Sequence, residues 1–368
     1  MSAVAAWQKD VRRLFADSPV VGPLATLIVV FILLSLFVPK FLTLRTVSGI
    51  VNAATLVGMI TIGVTLLMIS GEFDLSVGAL AAMGGYLYAF ITMDGGSRVV
   101  AFLSAILRLL HIEEAPMVAV LSPILRLPGV LPMLAFLLAI FVPAAMGALN
   151  GLLLTWTEIP SFIVTLGTRS LYRGAVWIVS GGVMVQTLEK LTVYNVFNGR
   201  LDVVNNLFQG AKFRTSLLWL LLVALICQYV LIRTRYGNHV FAAGGNPGAA
   251  QAQGVNVKRV KVINFMVSGA LSGFAGLLQF SQYKSVQVAT GAGWELNAIA
   301  SAVVGGALLT GGSGSIWGAF IGVLLISALR TGVVLLKIPF IPADNFPAVV
   351  GVTIVAAVIL NNWLRSRA

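Results

Sequence analysis

The chain is divided into stretches of about 20 apolar residues that carry almost no charge, and this pattern limits what it can fold into. A hydrocarbon layer about 30 Å thick takes roughly 20 apolar residues of α-helix to cross. Candidate windows lie at residues 20–38, 47–69, 75–93, 131–155, 162–180, 215–232, 262–282, 295–311, 315–335 and 347–363. The pattern predicts an all-α polytopic membrane protein of about ten transmembrane helices, with short or broken segments near the centre.

Composition supports the same class. Hydrophobic residues make up 58% of the 368 positions and charged residues 10%, against roughly 45–50% and about 25% in soluble domains. A compact soluble interior stops growing near about 250–300 residues, so the excess apolar surface must face lipid. A soluble protein is therefore excluded.

The distribution of charge indicates a membrane topology rather than a nucleic-acid partner. The net charge is +12, and most basic residues lie between apolar blocks, where anionic lipid explains them better. Lysines and arginines divide almost equally between alternate loops, but residues 233–261 concentrate five of them. An even number of spans and this cluster predict that both termini lie inside, with residues 1–19 as a cytoplasmic segment and no cleaved signal.

Two polar segments interrupt the apolar windows. Residues 94–130 include a stretch whose apolar side chains share one face, which is typical of a helix resting on a membrane surface. Residues 181–214 are mixed and polar and predict an ordinary extramembranous loop. Neither segment is long enough for a catalytic domain.

Sequence motifs for catalysis and metal binding are absent. No GxxxxGK[ST], HExxH or nucleophile-elbow motif occurs, so the chain is not expected to hydrolyse ATP or act as an enzyme. The single cysteine, Cys227, excludes an internal disulfide framework, and two histidines leave no pattern for a His/Cys metal site. We therefore expect no metal and no cofactor bound by this chain.

Two carboxylates, Glu72 and Asp74, stand between apolar runs that contain no other acid. Charges at membrane depth are costly and usually face a cavity or a polar interior, which favours a broken helix beside a transport pathway. A local explanation also exists for Asp74, which can cap a helix starting at Leu75 by accepting an N–H of Ser76 or Val77. The two interpretations are compatible, and Glu72 has no such local explanation. Intramembrane charges normally pair, and Arg169 and Arg173 are the candidate partners.

A second distinctive segment runs from Tyr236 to Gly254. Asn246 suits an N-cap, Pro247 the first helical position and Gly254 a left-handed terminator, which together predict a two-turn helix outside the membrane. Such a helix of small residues fits the groove of another protein, although a plain surface helix explains the pattern equally well.

Several separated motifs resemble one family from about Phe41 to the C-terminus, the ribose/xylose-type sugar permeases of bacterial ABC importers, relatives of the branched-chain amino acid permeases. The matching segments are Glu72–Gly78, Ile159–Thr168 with Tyr172–Gly174, Ala243–Asn246 with Gly254–Val257, and Glu295–Ala300 with Gly305–Gly306 and Gly311–Ser315. Three residues differ from the family pattern: Glu72-Phe73 replaces a common Gly-Ile, and Asn297 replaces an Asp.

The resemblance implies a membrane permease subunit in the bacterial inner membrane that carries a monosaccharide or related polyol. Implied partners are a periplasmic sugar-binding protein, a cytoplasmic ATPase that uses ATP and Mg²⁺, and a second permease copy, identical or paralogous. It further implies a single transmembrane permease domain over residues 20–368, with an extracytoplasmic insert at 94–130 and a cytoplasmic coupling loop at 233–261. The alternative is an ion-coupled secondary transporter that uses Glu72 and Asp74 as a relay.

The resemblance also selects two sets of site residues. Those expected beside the substrate pathway are Glu72, Asp74, Ser76, Asn150, Phe162, Thr165, Glu295 and Asn297. Those expected to couple the ATPase are Gly244, Gly245, Asn246, Pro247, Ala249, Ala250 and Gly254.

Overall fold

A computed structural model describes residues 20–93, 129–188 and 192–336, with isolated positions at 104, 348, 350–353 and 355. The described chain is a bundle of helices with one pair of very short strands. The elements are α1 (Val21–Phe37), α2 (Leu44–Ile69), α3 (Val77–Met93), α4 (Val130–Thr157), α5 (Ser161–Ser180), β1 (Val185–Gln186), α6 (Thr192–Asn198), α7 (Asp202–Leu207), α8 (Ser216–Arg233), α9 (Arg235–Gly245), α10 (Pro247–Ala252), α11 (Val257–Tyr283), β2 (Ser285–Val286), α12 (Trp294–Val304) and α13 (Ile316–Leu336).

Five of these helices are long and apolar enough to cross a membrane: α2, α4, α8, α11 and α13. The apolar helices α1, α3 and α12 are shorter, and α5 is less apolar because it carries Arg169, Arg173 and several hydroxyl side chains. The predicted class, an all-α polytopic membrane protein, is confirmed. The window 295–311 forms only the 11 residues of α12, and most of the window 347–363 lies outside the described residues.

Helix α11 lies at the centre of the bundle and packs against α2, α3 and α4. Small residues make these approaches close. A Cβ atom added at Gly276 would overlap the carbonyl oxygen of Ala81 on α3, and one added at Gly269 would overlap the carbonyl oxygen of Pro143 on α4. Helices in lipid associate through such backbone proximity, because lipid supplies no hydrophobic drive between them.

The segment after α5 differs from the predicted ordinary loop. Strand β1 pairs antiparallel with β2, and α6 packs against α11 and α8. Asn198 is buried and donates to the carbonyl oxygen of Leu278 and to Gln282, while the Phe197 ring contacts Phe274. Asn198, one of the residues that make this segment polar, therefore serves as an internal hydrogen-bonding residue. The expected insert at 94–130 and the N-terminal segment 1–19 lie outside the described residues, apart from Ser104 and the start of α4.

The chain breaks between α2 and α3. Residues Ser70–Ser76 contain no helix, and α3 begins at Val77 rather than at Leu75 as predicted. At 11 residues, α12 is about 16 Å long and also begins inside the bundle. Two interrupted helices therefore begin in the interior.

Candidate functional site

The N-termini of α3 and α12 meet inside the bundle. A Cβ atom added at Gly78 would overlap the carbonyl oxygen of Gly291 and lie 2.7 Å from Oε2 of Glu295. Only glycine permits this approach of the α12 entrance to the first turn of α3. Discontinuous helices of this kind place free backbone groups and charged side chains in the interior of transporters.

Asp74 is fully buried at the start of this region. Its Oδ1 atom accepts the backbone N–H of Ser76 at 2.8 Å and the Ser76 hydroxyl at 2.6 Å, and its Oδ2 atom lies 3.4 Å from the Ser268 hydroxyl of α11. Of the two N–H groups predicted for the capping interaction, Ser76 and Val77, the one bound is that of Ser76, one residue before the helix starts. In the part of the chain that the structure describes, no lysine or arginine forms an ion pair with Asp74.

A chain of hydrogen bonds extends from Asp74 into α4 and α5. The amide of Asn150 donates to Ser76 Oγ at 2.9 Å, and the Tyr172 hydroxyl lies 2.8 Å from Asn150 Oδ1. All of these groups are buried, so each depends on the others for its hydrogen bonds. Sequence reasoning placed Ser76 and Asn150 here but missed Tyr172 and Ser268. Tyr172 could have been found because it lies seven residues after Thr165, on the same face of α5.

A separate charged cluster lies at the start of α12. Glu295 is 1% exposed, and its Oε1 atom is 2.8 Å from the Arg169 guanidinium. Arg173 donates to the backbone carbonyls of Val288 and Thr290. The prediction that these arginines pair with Glu72 and Asp74 is wrong, because both side chains extend from α5 toward the segment that enters α12.

Glu72 has a different partner. It forms an ion pair with Lys261, near the start of α11, and both side chains are largely buried, with 10% and 21% exposed. Asp74 lies deeper, among hydroxyl and amide groups. The two carboxylates are therefore neighbours in sequence but belong to different contacts.

The remaining pathway candidates are dispersed. Thr165 is buried and donates to the carbonyl oxygen of Ser161 within α5, Phe162 is 56% exposed on the outer face of α5, and Asn297 is half-buried two residues beyond Glu295. The structure thus brings together Asp74, Ser76 and Asn150, with Glu295 against the next turn of α3.

The predicted short helix is confirmed as α10. Asn246 Oδ1 accepts the N–H of Ala249 at 3.0 Å, Pro247 is the first helical residue, and Gly254 has a φ of +84°. Ala250 is buried, whereas the other α10 residues are exposed. Sequence reasoning missed α9, which directly precedes α10 and whose N-cap Thr234 accepts the N–H of Gly237.

Gly244 and Gly245 end α9 against the turn at the end of α2. A Cβ atom at Gly244 would overlap the carbonyl oxygen of Ile69 and lie 2.7 Å from the N–H nitrogen of Gly312. That N–H donates to Ile69 at 2.8 Å. The end of α2, the end of α9 and the turn at Gly312, which are far apart in sequence, are therefore in direct backbone contact.

The described residues contain no group of three or more His, Cys, Asp or Glu side chains placed to hold a metal ion. A buried polar interior, interrupted helices and an exposed helix at the bundle end are features of a membrane transport subunit.

Comparison with known proteins agrees with this class. Residues 45–358 match the family described as the branched-chain amino acid transport system permease component, and the chain belongs to this family of ABC transporter permeases. It is 30% identical to the ribose import permease protein RbsC of Bacillus subtilis over 357 residues, covering 96% of this chain and 97% of that protein. The autoinducer 2 import system permease protein LsrC of Photorhabdus luminescens is 28% identical over 96% of this chain and 92% of its own. RbsC of Escherichia coli K12 is 29% identical over 92% of both chains. No solved structure gives a significant match.

Proposed function

We propose that this chain carries a monosaccharide such as ribose, or a related polyol, through the inner membrane as the permease of an ATP-driven importer. The observation that carries the proposal is α10, an exposed helix with side-chain and proline capping that the bundle holds at one end. A separate ATPase with ATP and Mg²⁺ docks on that helix, and a periplasmic binding protein delivers the solute. The ribose import permeases of two bacteria, which align with nearly the whole chain, support the solute class.

The solute pathway follows α5 and the interior ends of α3 and α12. Helix α5 buries only a narrow stripe, and its outer face combines exposed apolar residues such as Leu171 and Ile178 with Gly167, Ser170 and Gly174 and with part of the Arg169 side chain. Exposed small residues allow close approach of another helix, and the partly exposed Arg169 is unsuited to lipid, which favours contact of these positions with a second permease copy or with water. The pathway therefore runs between two copies of this chain, identical or paralogous.

The proposed orientation places α10 and both termini in the cytoplasm. Residues 233–261 then form the cytoplasmic coupling loop, and residues 94–130 form an extracytoplasmic insert near the binding protein. Residues 1–19 are a cytoplasmic segment, and residues 20–368 form a single transmembrane domain. The concentration of basic residues in 233–261 supports this orientation.

Transport in proteoliposomes tests the proposal. Vesicles with the permease, the ATPase of the same operon and its binding protein should accumulate labelled ribose only with hydrolysable ATP, and labelled leucine should not accumulate. A non-hydrolysable ATP analogue is the control. ATP-independent uptake that an uncoupler abolishes would overturn the proposal and favour an ion-coupled carrier, and leucine uptake would overturn the solute class.

A further inference from the structure

Helix α10 is connected to the end of α2 through five glycines, which we call the glycine joint: Gly71, Gly244, Gly245, Gly311 and Gly312. Gly311 and Gly312 have positive φ angles of +81° and +75°. A Cβ atom at Gly311 would lie 2.8 Å from Gly71 Cα, and one at Gly312 would lie 2.6 Å from Gly245 Cα. Because these contacts are between backbones, the end of α9 cannot move without moving the end of α2.

A second connection joins α10 to the helix that follows it in the chain, α11. The N–H of Val255 donates to the carbonyl oxygen of Ala250 at 3.0 Å, which fixes α10 to the start of α11. Lys261 follows about one turn into α11 and forms the largely buried ion pair with Glu72. Both connections therefore end within the same four residues, 69–72.

A buried hydrogen-bond bridge links the same helices. The Tyr236 hydroxyl of α9 donates to Asn264 Oδ1 at 2.7 Å, and the Asn264 amide donates to the carbonyl oxygen of Leu66 on α2 at 3.2 Å. These hydrogen bonds hold α2, α9 and α11 together.

The non-helical segment Ser70–Ser76 leads from this assembly to the interior site. The N–H of Phe73 donates to the Ser161 hydroxyl at the start of α5, and the next residue, Asp74, begins the buried hydrogen-bond chain to Asn150. One short segment therefore joins the exposed helix to the pathway helices α4 and α5.

We propose that Ser70–Ser76 is the mechanical link of the transporter, held to α10 by the glycine joint and by the Glu72–Lys261 ion pair. The inference rests on the proposed function, because it assumes that an ATPase moves α10. Glu72 and Lys261 are then positioning residues. They do not bind solute, but their ion pair makes Ser70–Ser76 move together with α10. Tightly packed helices that have two discrete arrangements transmit such displacements. If the connection between α10 and Ser70–Ser76 is broken, ATP is hydrolysed but no solute is transported.

The test measures solute transported per ATP hydrolysed in the reconstituted complex, a ratio that a merely structural role would leave unchanged. We expect Lys261→Gln and Glu72→Gln to lower it about 2- to 30-fold, the range found for residues that modulate coupling, with the ATPase still bound. Lys261→Arg, which keeps the charge, should retain the ratio. The charge-exchanged double variant Glu72→Lys with Lys261→Glu should recover at least half of it.

The chain supplies a matched control. Lys258 pairs with Glu158 at 3.5 Å on the same end of α11, but both side chains are exposed, at 63% and 78%. Lys258→Gln should therefore leave the ratio unchanged. If the Glu72→Gln protein does not accumulate, Lys261→Met replaces it in the experiment. This variant keeps the apolar stem of the lysine without its charge, and its ratio is compared with that of Lys261→Arg.

The outcomes separate the link from the proposed function. Absence of ATP-driven uptake in the wild type would contradict the proposed function itself. With wild-type uptake intact, ratios at the wild-type level in Lys261→Gln and Lys261→Met would overturn the link alone. A double variant no better than either single variant would also overturn it.

Discussion

Among the residues that the structure describes, Asp74 is held by hydrogen bonds and not by an ion pair, and this determines how substitutions there should behave. Asp74→Asn keeps an oxygen that accepts the N–H and hydroxyl of Ser76, so its stability should stay close to that of the wild type. Asp74→Ala leaves these buried donors without an acceptor and should cost about 1–3 kcal/mol. Thermal unfolding in detergent measures both. Equal losses in the two variants would contradict a capping role.

The same residue also tests solute handling, and the two roles give different readouts. If the Asp74 charge acts along the pathway, Asp74→Asn should lower the rate of ribose uptake at equal protein level, because charge-assisted hydrogen bonds are about twice as strong as neutral ones. Vesicles matched for permease content supply the comparison. A wild-type rate would leave Asp74 as a structural residue.

Two adjacent glycines provide a sharp contrast. Gly244 has no space for a Cβ atom, which would overlap the Ile69 carbonyl oxygen, whereas a Cβ at Gly245 would have its nearest neighbour 3.8 Å away. Gly244→Ala should therefore cost about 1–3 kcal/mol through overpacking. Gly245→Ala should be neutral or up to about 1 kcal/mol more stable. Unfolding curves of the two variants decide, and similar effects would argue against the packed contact.

Lys284 follows α11 and gives a pH-dependent prediction. Burial, together with the like charge of Arg214, lowers the pKa of Lys284 to about 8, and its Nζ atom lies 3.8 Å from the centre of the Tyr194 ring. Between this pKa and the ordinary value of about 10.4, the unfolded chain binds more protons than the folded chain, so stability should rise with pH. Lys284→Met should lack this rise between pH 8 and pH 10. If the unfolding temperatures of the wild type and of Lys284→Met change with pH in the same way, the prediction is contradicted.

At the scale of the element, α10 presents two kinds of alanine. Ala249 is exposed, whereas Ala250 is 5% exposed and packs inward. A test of ATPase docking therefore belongs at Ala249. Ala249→Glu should abolish copurification of the ATPase while the permease accumulates normally, because a charge on the docking face would be buried without a partner. Undiminished copurification would contradict docking on α10.

Ala250→Glu is the matched comparison on the same helix. It places a charge inside the permease itself, so it should lower the level of folded protein rather than ATPase binding by folded molecules. Size-exclusion profiles of the purified permease measure that level. Normal accumulation with selective loss of the ATPase would instead place Ala250 on the docking face.

At the scale of the whole molecule, the sequence predicts what depends on nearest neighbours. The caps at Asn246, Pro247 and Gly254 are local, and the helix they define is present. The pairing of charges is not local: Lys261 reaches Glu72 across 189 positions, and Arg169 reaches Glu295. The segment around α6 looks like a polar loop in the sequence because the carbonyl group that Asn198 binds lies in α11, 80 positions further on. Periodicity therefore predicts the spans, while partners across the bundle require the packed structure.

The last prediction concerns which side of the molecule meets water. The exposed residues of α8, such as Leu222, Leu225 and Ile226, are apolar and suit lipid. The outer face of α5 also exposes apolar residues such as Leu171 and Ile178, but it differs from α8 in exposing Ser170 between Gly167 and Gly174, neither of which has an atom within 4 Å of an added Cβ. If two copies enclose a solute pathway along α5, only this face should be accessible to aqueous reagents.

Cysteine labelling distinguishes the two faces. In a Cys227→Ala background, Ser170→Cys should react with a membrane-impermeant maleimide in vesicles, and its rate should change when ATP drives transport. Leu222→Cys should remain unreactive until detergent is added, because a thiol in lipid is protonated and the reagent does not partition there. If Ser170→Cys is as protected as Leu222→Cys in every state, α5 does not line a water-filled pathway. Rapid labelling at both positions would show instead that α8 does not face lipid.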